Sequence, residues 1–146
     1  MIMRMLAATI FLTSVVVGVA PAQVIETSGV QPAVIRAVAP LFPIPDKNTY
    51  AVGSVVVEIE INAHGSVSKA KAVRGHPLLC AASEKAAQRW LFDSVTPETK
   101  VRTARLTFIF KLLENPTAEE DLAPVFSPPY QIEVRRVAPV IETRET

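Results

Sequence analysis

Between residues 53 and 92 the hydrophobic pattern changes period, and few folds accommodate that change. Val55, Val57, Ile59 and Ile61 alternate with Val56, Glu58 and Glu60, as in a strand with one buried and one wet face. Asn62-Ala63-His64-Gly65 is a turn sequence in which Gly65 can take a positive φ. Residues 66–73 read as a second strand. The irregular spacing of Val67, Ala70, Ala72 and Val73 predicts a bulge in it. Gly75-His76-Pro77 ends that strand, and Pro77 suits the first position of a helix. Over residues 78–92 the period becomes helical: Leu79, Ala82, Ala86 and Trp90 recur at i, i+3, i+7 and i+11. Glu84, Lys85, Gln88 and Arg89 take the other side.

A closing strand follows at residues 101–112. Ala104, Leu106, Phe108 and Phe110 face one way, with Arg105 and Lys111 placed to pair with Glu58 and Glu60 on the wet face. The expected fold class is α+β: a small antiparallel three-stranded sheet packed on one helix, in the order β-β-α-β, with extended proline-rich flanks. The expected core is Val55, Val57, Ile59, Ile61, Leu79, Ala82, Ala86, Trp90, Phe108 and Phe110.

The flanks read differently. The chain has 12 prolines against 5 glycines, and most prolines fall outside the central stretch. Residues 1–22 have the form of a signal peptide: Arg4, an uncharged apolar run over residues 6–19, then Ala20-Pro21-Ala22. Cleavage is expected between Ala22 and Gln23, because the apolar run is shorter than the ~20 residues that span a bilayer. Residues 23–36 form an extended segment, 37–112 the domain, and 113–146 an acidic, proline-rich linker and tail with a short strand at 132–137. That tail echoes the front of the domain. Arg36-Ala37-Val38-Ala39-Pro40 resembles Arg135-Arg136-Val137-Ala138-Pro139. The tail is then either the remnant of a second unit or a strand that covers a sheet edge.

Charge and motifs exclude several function classes. The 15 basic residues include Arg4, so 14 remain after cleavage against 14 acidic ones. A neutral chain has no overall pull towards nucleic acid. The sequence holds no glycine-rich phosphate loop, no metal-spaced Cys/His cluster and no nucleophile elbow. His64 belongs to a hairpin turn, His76 to a helix start, and Cys80 to the helix as a small apolar residue. The expectation is a protein with no enzymatic activity, metal, cofactor or small-molecule substrate. What remains is the edge of the closing strand, at Arg102, Thr103, Ala104, Arg105, Leu106, Thr107, Phe108 and Ile109, where unpaired backbone groups can accept an extended peptide.

These residues also resemble a known family, the C-terminal domain of TonB-type energy transducers. The resemblance rests on Pro40-Leu41-Phe42-Pro43, Gly53-Ser54-Val55-Val56-Val57, Gly65-Ser66-Val67, Gly75-His76-Pro77-Leu78-Leu79, Ala81-Ala82, Ala86, Trp90-Leu91-Phe92 and Leu106-Thr107-Phe108-Ile109-Phe110. It departs at Phe42, which replaces a tyrosine, at Cys80, where an acidic residue is common, and at Asp93-Ser94, which replaces a basic residue and proline. The resemblance implies a periplasmic protein-binding module that recognises a peptide of an outer-membrane receptor by strand addition. Two other readings share its surface: a self-associating structural homodimer, and a short membrane-anchored transducer whose N-terminal segment is retained. From residue 22 to residue 40 an extended chain covers at most ~60 Å, so the expectation is a binding module without the spacer of a full transducer.

Overall fold

A computed structural model describes residues 31–44, 50–97, 101–115 and 118–139. The expected signal segment, with Ala22 and Gln23, lies outside the described residues. The elements run β1 (Val34–Arg36), β2 (Gly53–Ile61), β3 (Val67–Arg74), α1 (Pro77–Ala87), β4 (Leu91–Phe92), β5 (Arg102–Leu113), a 3-10 turn (Glu119–Leu122), β6 (Val125–Ser127) and β7 (Gln131–Val137).

The period-two pattern is realised in β2. Val55, Val57, Ile59 and Ile61 are all fully buried. β2 lies between β3 and β5 and pairs antiparallel with both. Its pairing with β3 shifts register between Val56 and Val57 and again between Glu60 and Ile61, which is where the irregular spacing of β3 is absorbed. Leu106, Phe108 and Phe110 of β5 continue the inner face, and α1 packs over it beside β2 and β3.

The expected three-stranded sheet is five-stranded, in the order β3-β2-β5-β7-β6, with a separate two-stranded sheet of β1 and β4. The fold class remains α+β with one helix. The two extra strands come from the tail. β7 lies parallel to β5 from Thr107↔Gln131 to Leu113↔Val137, and β6 folds back antiparallel on β7. Ile132 and Val134 alternate with Glu133 and Arg135, and their side chains are buried in the same core at 3% and 7% exposure. Burial of side chains of this size contributes about 1.5–3 kcal/mol each. Of the two readings of the tail, the structure shows the strand that covers an edge.

The helix ends earlier than its apolar period. It stops at Ala87, with Gln88 as its C-cap, and the expected last turn becomes a bend followed by β4. Tertiary bonds decide this. The Trp90 indole N–H donates to the Val38 carbonyl at 2.9 Å, and the Phe92 N–H donates to the Gly65 carbonyl at 2.8 Å. Leu91 and Phe92 then pair with Arg36 and Val34 of β1. The buried stripe of α1 is Leu79, Ser83, Ala86 and Ala87. Ala82 is half-buried at its flank, so the helix is rotated relative to the expected stripe. Ser83 fits the stripe because its hydroxyl donates to the Leu79 carbonyl at 2.8 Å, which satisfies it within the helix. His76 is the N-cap and accepts from the Leu78 N–H through Nδ1 at 3.2 Å.

The hairpin turn sits against β4. The Asn62 side-chain oxygen accepts from the His64 and Ser66 N–H groups, each at 3.0 Å. Gly65 has φ +87°, and a Cβ there would stand 2.0 Å from the Phe92 carbonyl oxygen. Position 65 therefore excludes every side chain, on conformation and on space. We expect Gly65→Ala to lower stability by more than the ~1–3 kcal/mol of a strained backbone position alone, read as a fall in the urea midpoint. An unchanged midpoint would show that the turn does not dock on β4.

Candidate partner-binding edge

Thr107 divides the outer edge of β5 into two parts. From there to Leu113 the strand pairs with β7, beginning with the Thr107 N–H donating to the Tyr130 carbonyl at 2.9 Å and ending with the Ala138 N–H donating to the Leu113 carbonyl at 2.8 Å. Over residues 102–106 no described strand lies on that side. The backbone alternates in direction along an antiparallel ladder. Since Thr107 directs its N–H away from β2, Thr103 and Arg105 do the same. Both are exposed.

The eight residues expected to form the binding edge therefore fall into two groups. Arg102, Thr103, Ala104, Arg105 and Leu106 lie where no described strand covers the edge, and Thr107, Phe108 and Ile109 lie under the start of β7. Leu106 and Phe108 are core residues, fully buried on the inner face, and by the same alternation their N–H and C=O groups face β2, so neither offers a group to a strand on the outer side.

Ionic contacts pin both ends of this edge. At its start the Arg102 Nη1 donates to Asp93 Oδ1 at 2.8 Å, and Nη2 donates to the Asp93 backbone carbonyl. The same carboxylate accepts the Ala33 N–H at 2.9 Å. The Arg102 hydrogen bond holds the Asp93 carboxyl below the usual carboxylate range. Asp93, a departure from the family pattern, thus ties the N-terminal flank to the first residue of β5. At the far end Glu133 accepts from Lys111 Nζ and from Arg135 Nε, both at 2.7 Å. Those bonds hold its carboxyl down, Lys111 contributing most. Burial pushes the Tyr130 hydroxyl up, and that hydroxyl donates to the Pro32 carbonyl at 2.7 Å.

The expected cross-strand pairs are partly rearranged. Glu58 pairs with Arg105 at 3.4 Å, directly opposite it in the register. Glu60 pairs with Lys69 of β3 at 3.5 Å, and Lys111 pairs with Glu133 of the tail. The register explains both changes: Glu60 lies opposite Thr103, and Lys111 lies beyond the last β2–β5 pair at Phe110.

The other edge of the sheet is closed differently. The Ala72 N–H on β3 donates to Glu84 Oε1 of α1 at 2.8 Å, and Lys69 and Lys71 line the strand. A side-chain cap and lysines on an edge oppose pairing with another strand. Sequence reasoning missed Glu84 because its i+4 neighbour Gln88 gave it no partner on the helix, and the contact arises only when α1 packs on β3.

Trp90 is 1% exposed and lies 6.1, 6.0 and 6.1 Å, centroid to centroid, from Phe92, Phe108 and Phe126. Phe126 belongs to β6, so the tail supplies part of the cover of the chain's single tryptophan. Among the described residues no group of His, Cys, Asp and Glu is arranged to hold a metal ion, and no helix is long and apolar enough to cross a membrane.

Because Glu133 is held below its ordinary range, its contribution is complete above about pH 4.3, the unfolded value for a glutamate, and is lost as pH falls through the lowered native value. Trp90 emission should therefore shift to the red on acidification as the tail loosens, and Glu133→Gln should remove that part of the transition. An identical pH profile in Glu133→Gln would show that this carboxylate does not hold β7.

A family model described as the Gram-negative bacterial TonB protein C-terminal matches residues 38–112. The match runs from the segment that receives the Trp90 indole bond to the penultimate residue of β5, and stops before the tail strands. A search of curated proteins and of solved structures found no match. The match takes in the β2–β3 hairpin, α1, β4 and nearly all of β5, and on that evidence the chain belongs to the family of Gram-negative bacterial TonB protein C-terminal domains.

Proposed function

We propose that this protein is an exported periplasmic module of TonB-dependent transport that binds an extended segment of an outer-membrane receptor by adding it as a strand along β5. The observation that carries the reading is the uncovered start of that strand, where Thr103 and Arg105 are exposed and, by the alternation of the ladder, direct N–H and C=O groups away from β2. Backbone pairing of this kind gives affinity to any extended peptide, and side-chain positions on alternate faces give selectivity. The closed β3 edge supports the same choice of side, since Glu84, Lys69 and Lys71 oppose pairing there. Family membership supports a receptor as the partner. The role proposed is binding, with no catalytic step.

The test uses the full mature chain and N-terminal peptides of outer-membrane receptors encoded in the same genome. Binding should shift the amide resonances of Thr103 and Arg105 and leave those of Ala70 and Ala72 in place. Arg105→Pro removes an outward-facing donor together with the exposed ion pair to Glu58, and spares the backbone ladder to β2. It should weaken binding by about two- to tenfold, which is the loss of one backbone hydrogen bond at roughly 0.5–1.5 kcal/mol. Shifts confined to β3, or no binding by any such peptide, would overturn the proposal. N-terminal sequencing of the mature protein should begin at Gln23, and an intact Met1 in the membrane fraction would favour an anchored transducer instead.

A further inference from the structure

We infer that the tail unit of β6 and β7 is a tethered stand-in for the partner strand, seated on the β5 edge and displaced when a partner binds. The inference rests on the strand-addition reading above. Three observations carry it.

The first is length. β5 is 12 residues long, but β7 covers it from Thr107 to Leu113. The uncovered remainder offers outward backbone groups only at Thr103 and Arg105. Strands in stable sheets commonly run to about 5–6 residues, so a peptide confined to that remainder forms a short ladder with few backbone bonds. A partner extends that ladder along the whole of β5 by taking the place of β7.

The second is what β7 contributes. It pairs in parallel, and its own outer neighbour β6 is three residues long. Its buried apolar side chains are Ile132 and Val134, and the remaining twelve members of the buried core cluster all belong to residues 55–110. The family match likewise ends at residue 112. The core of the domain is thus built largely without the strand that closes its edge.

The third is complementarity. β7 shows what the edge accepts: a strand parallel to β5, with branched aliphatic side chains entering the core at Ile132 and Val134 and a carboxylate between them, where Lys111 Nζ meets Glu133 Oε2 at 2.7 Å. A partner strand that displaces it needs the same pattern of two inward aliphatic residues flanking an outward acid. The tether raises the bar for such a partner. Residues 114–130 link the two strands, carrying the 3-10 turn and β6, and a covalent link this short holds its end at an effective concentration on the order of millimolar. Apparent affinity for a partner is then the intrinsic affinity scaled by the fraction of molecules with the tail undocked.

A reversible lock tests this on the full chain. Leu113 and Val137 face each other across β5 and β7, at the end of the ladder farthest from the uncovered stretch. Leu113→Cys with Val137→Cys, in a Cys80→Ala background, forms a disulfide that holds the tail in place when oxidised and frees it when reduced. The probe is a fluorescein-labelled peptide of residues 130–138 of this chain, followed by anisotropy, with the receptor peptides run in parallel. The reduced form should bind the probe at least about tenfold more tightly than the oxidised form. Binding should also shift Trp90 emission to the red as Phe126 leaves. Val134→Pro supplies a second variant. By the alternation set by the Ala138 N–H, residue 134 points its N–H at β5, so proline there undocks β7 and should raise probe affinity.

Equal binding by oxidised and reduced forms, with no gain in Val134→Pro, overturns the stand-in role of the tail and leaves the strand-addition reading intact if receptor peptides bind both forms. Probe binding to the reduced form alone, with no receptor peptide bound by any form, supports displacement of the tail and overturns the receptor as partner. Absence of binding by every peptide to every form overturns both.

Discussion

The antiparallel pairing of β2 with β5, unbroken from Gly53↔Phe110 to Ile61↔Arg102, is the interaction on which the rest of the domain depends. It joins residues some fifty positions apart in sequence, so its loop-closure cost is met before any of its contacts form. Once made, it sets Val55, Val57, Ile59 and Ile61 beside Leu106, Phe108 and Phe110 on one face, all at 0–1% exposure. α1 has that surface to pack on, and Trp90 has Phe108 to meet edge-on at 6.0 Å. The same pairing decides which backbone groups of β5 point outward, and with them where another strand can attach. The core and the outward face of the β5 backbone are two consequences of one register.

Legibility from sequence follows from how local each signal is. The alternation in β2, the Asn62-to-Gly65 turn and the strand at β5 are written in short-range patterns, and the elements stand close to where those patterns put them. The helix was less legible. Its apolar period continues through Trp90 and Phe92, but Trp90 is held by Val38 and Phe92 by Gly65, and partners that distant leave no mark on periodicity. Ser83 escaped notice in the core because its hydroxyl is paired within the helix, which a count of apolar residues does not register.

The edge was half legible. β5 could be named as the strand with an open side, and residues 132–137 as a segment with strand character. Nothing in either pattern says that one covers the other from Thr107 onwards. Parallel pairing through a long link has no turn signature, and the alternation of Ile132 and Val134 is too short to fix a register alone. Asp93 shows the same limit. It reads as a surface departure from a family pattern, yet in the fold it gathers Ala33 and Arg102 onto one carboxylate.

The bond from the Ala72 N–H to Glu84 has a consequence for how many molecules can join the sheet. A sheet with two receptive edges can propagate, each copy templating the next, and the outcome is a fibre. Here one helical carboxylate, with two lysines beside it, makes the β3 side a terminus. Propagation through β3 is thereby blocked. A small, strand-rich chain thus carries within its own helix a stop against polymerising through that side of the sheet.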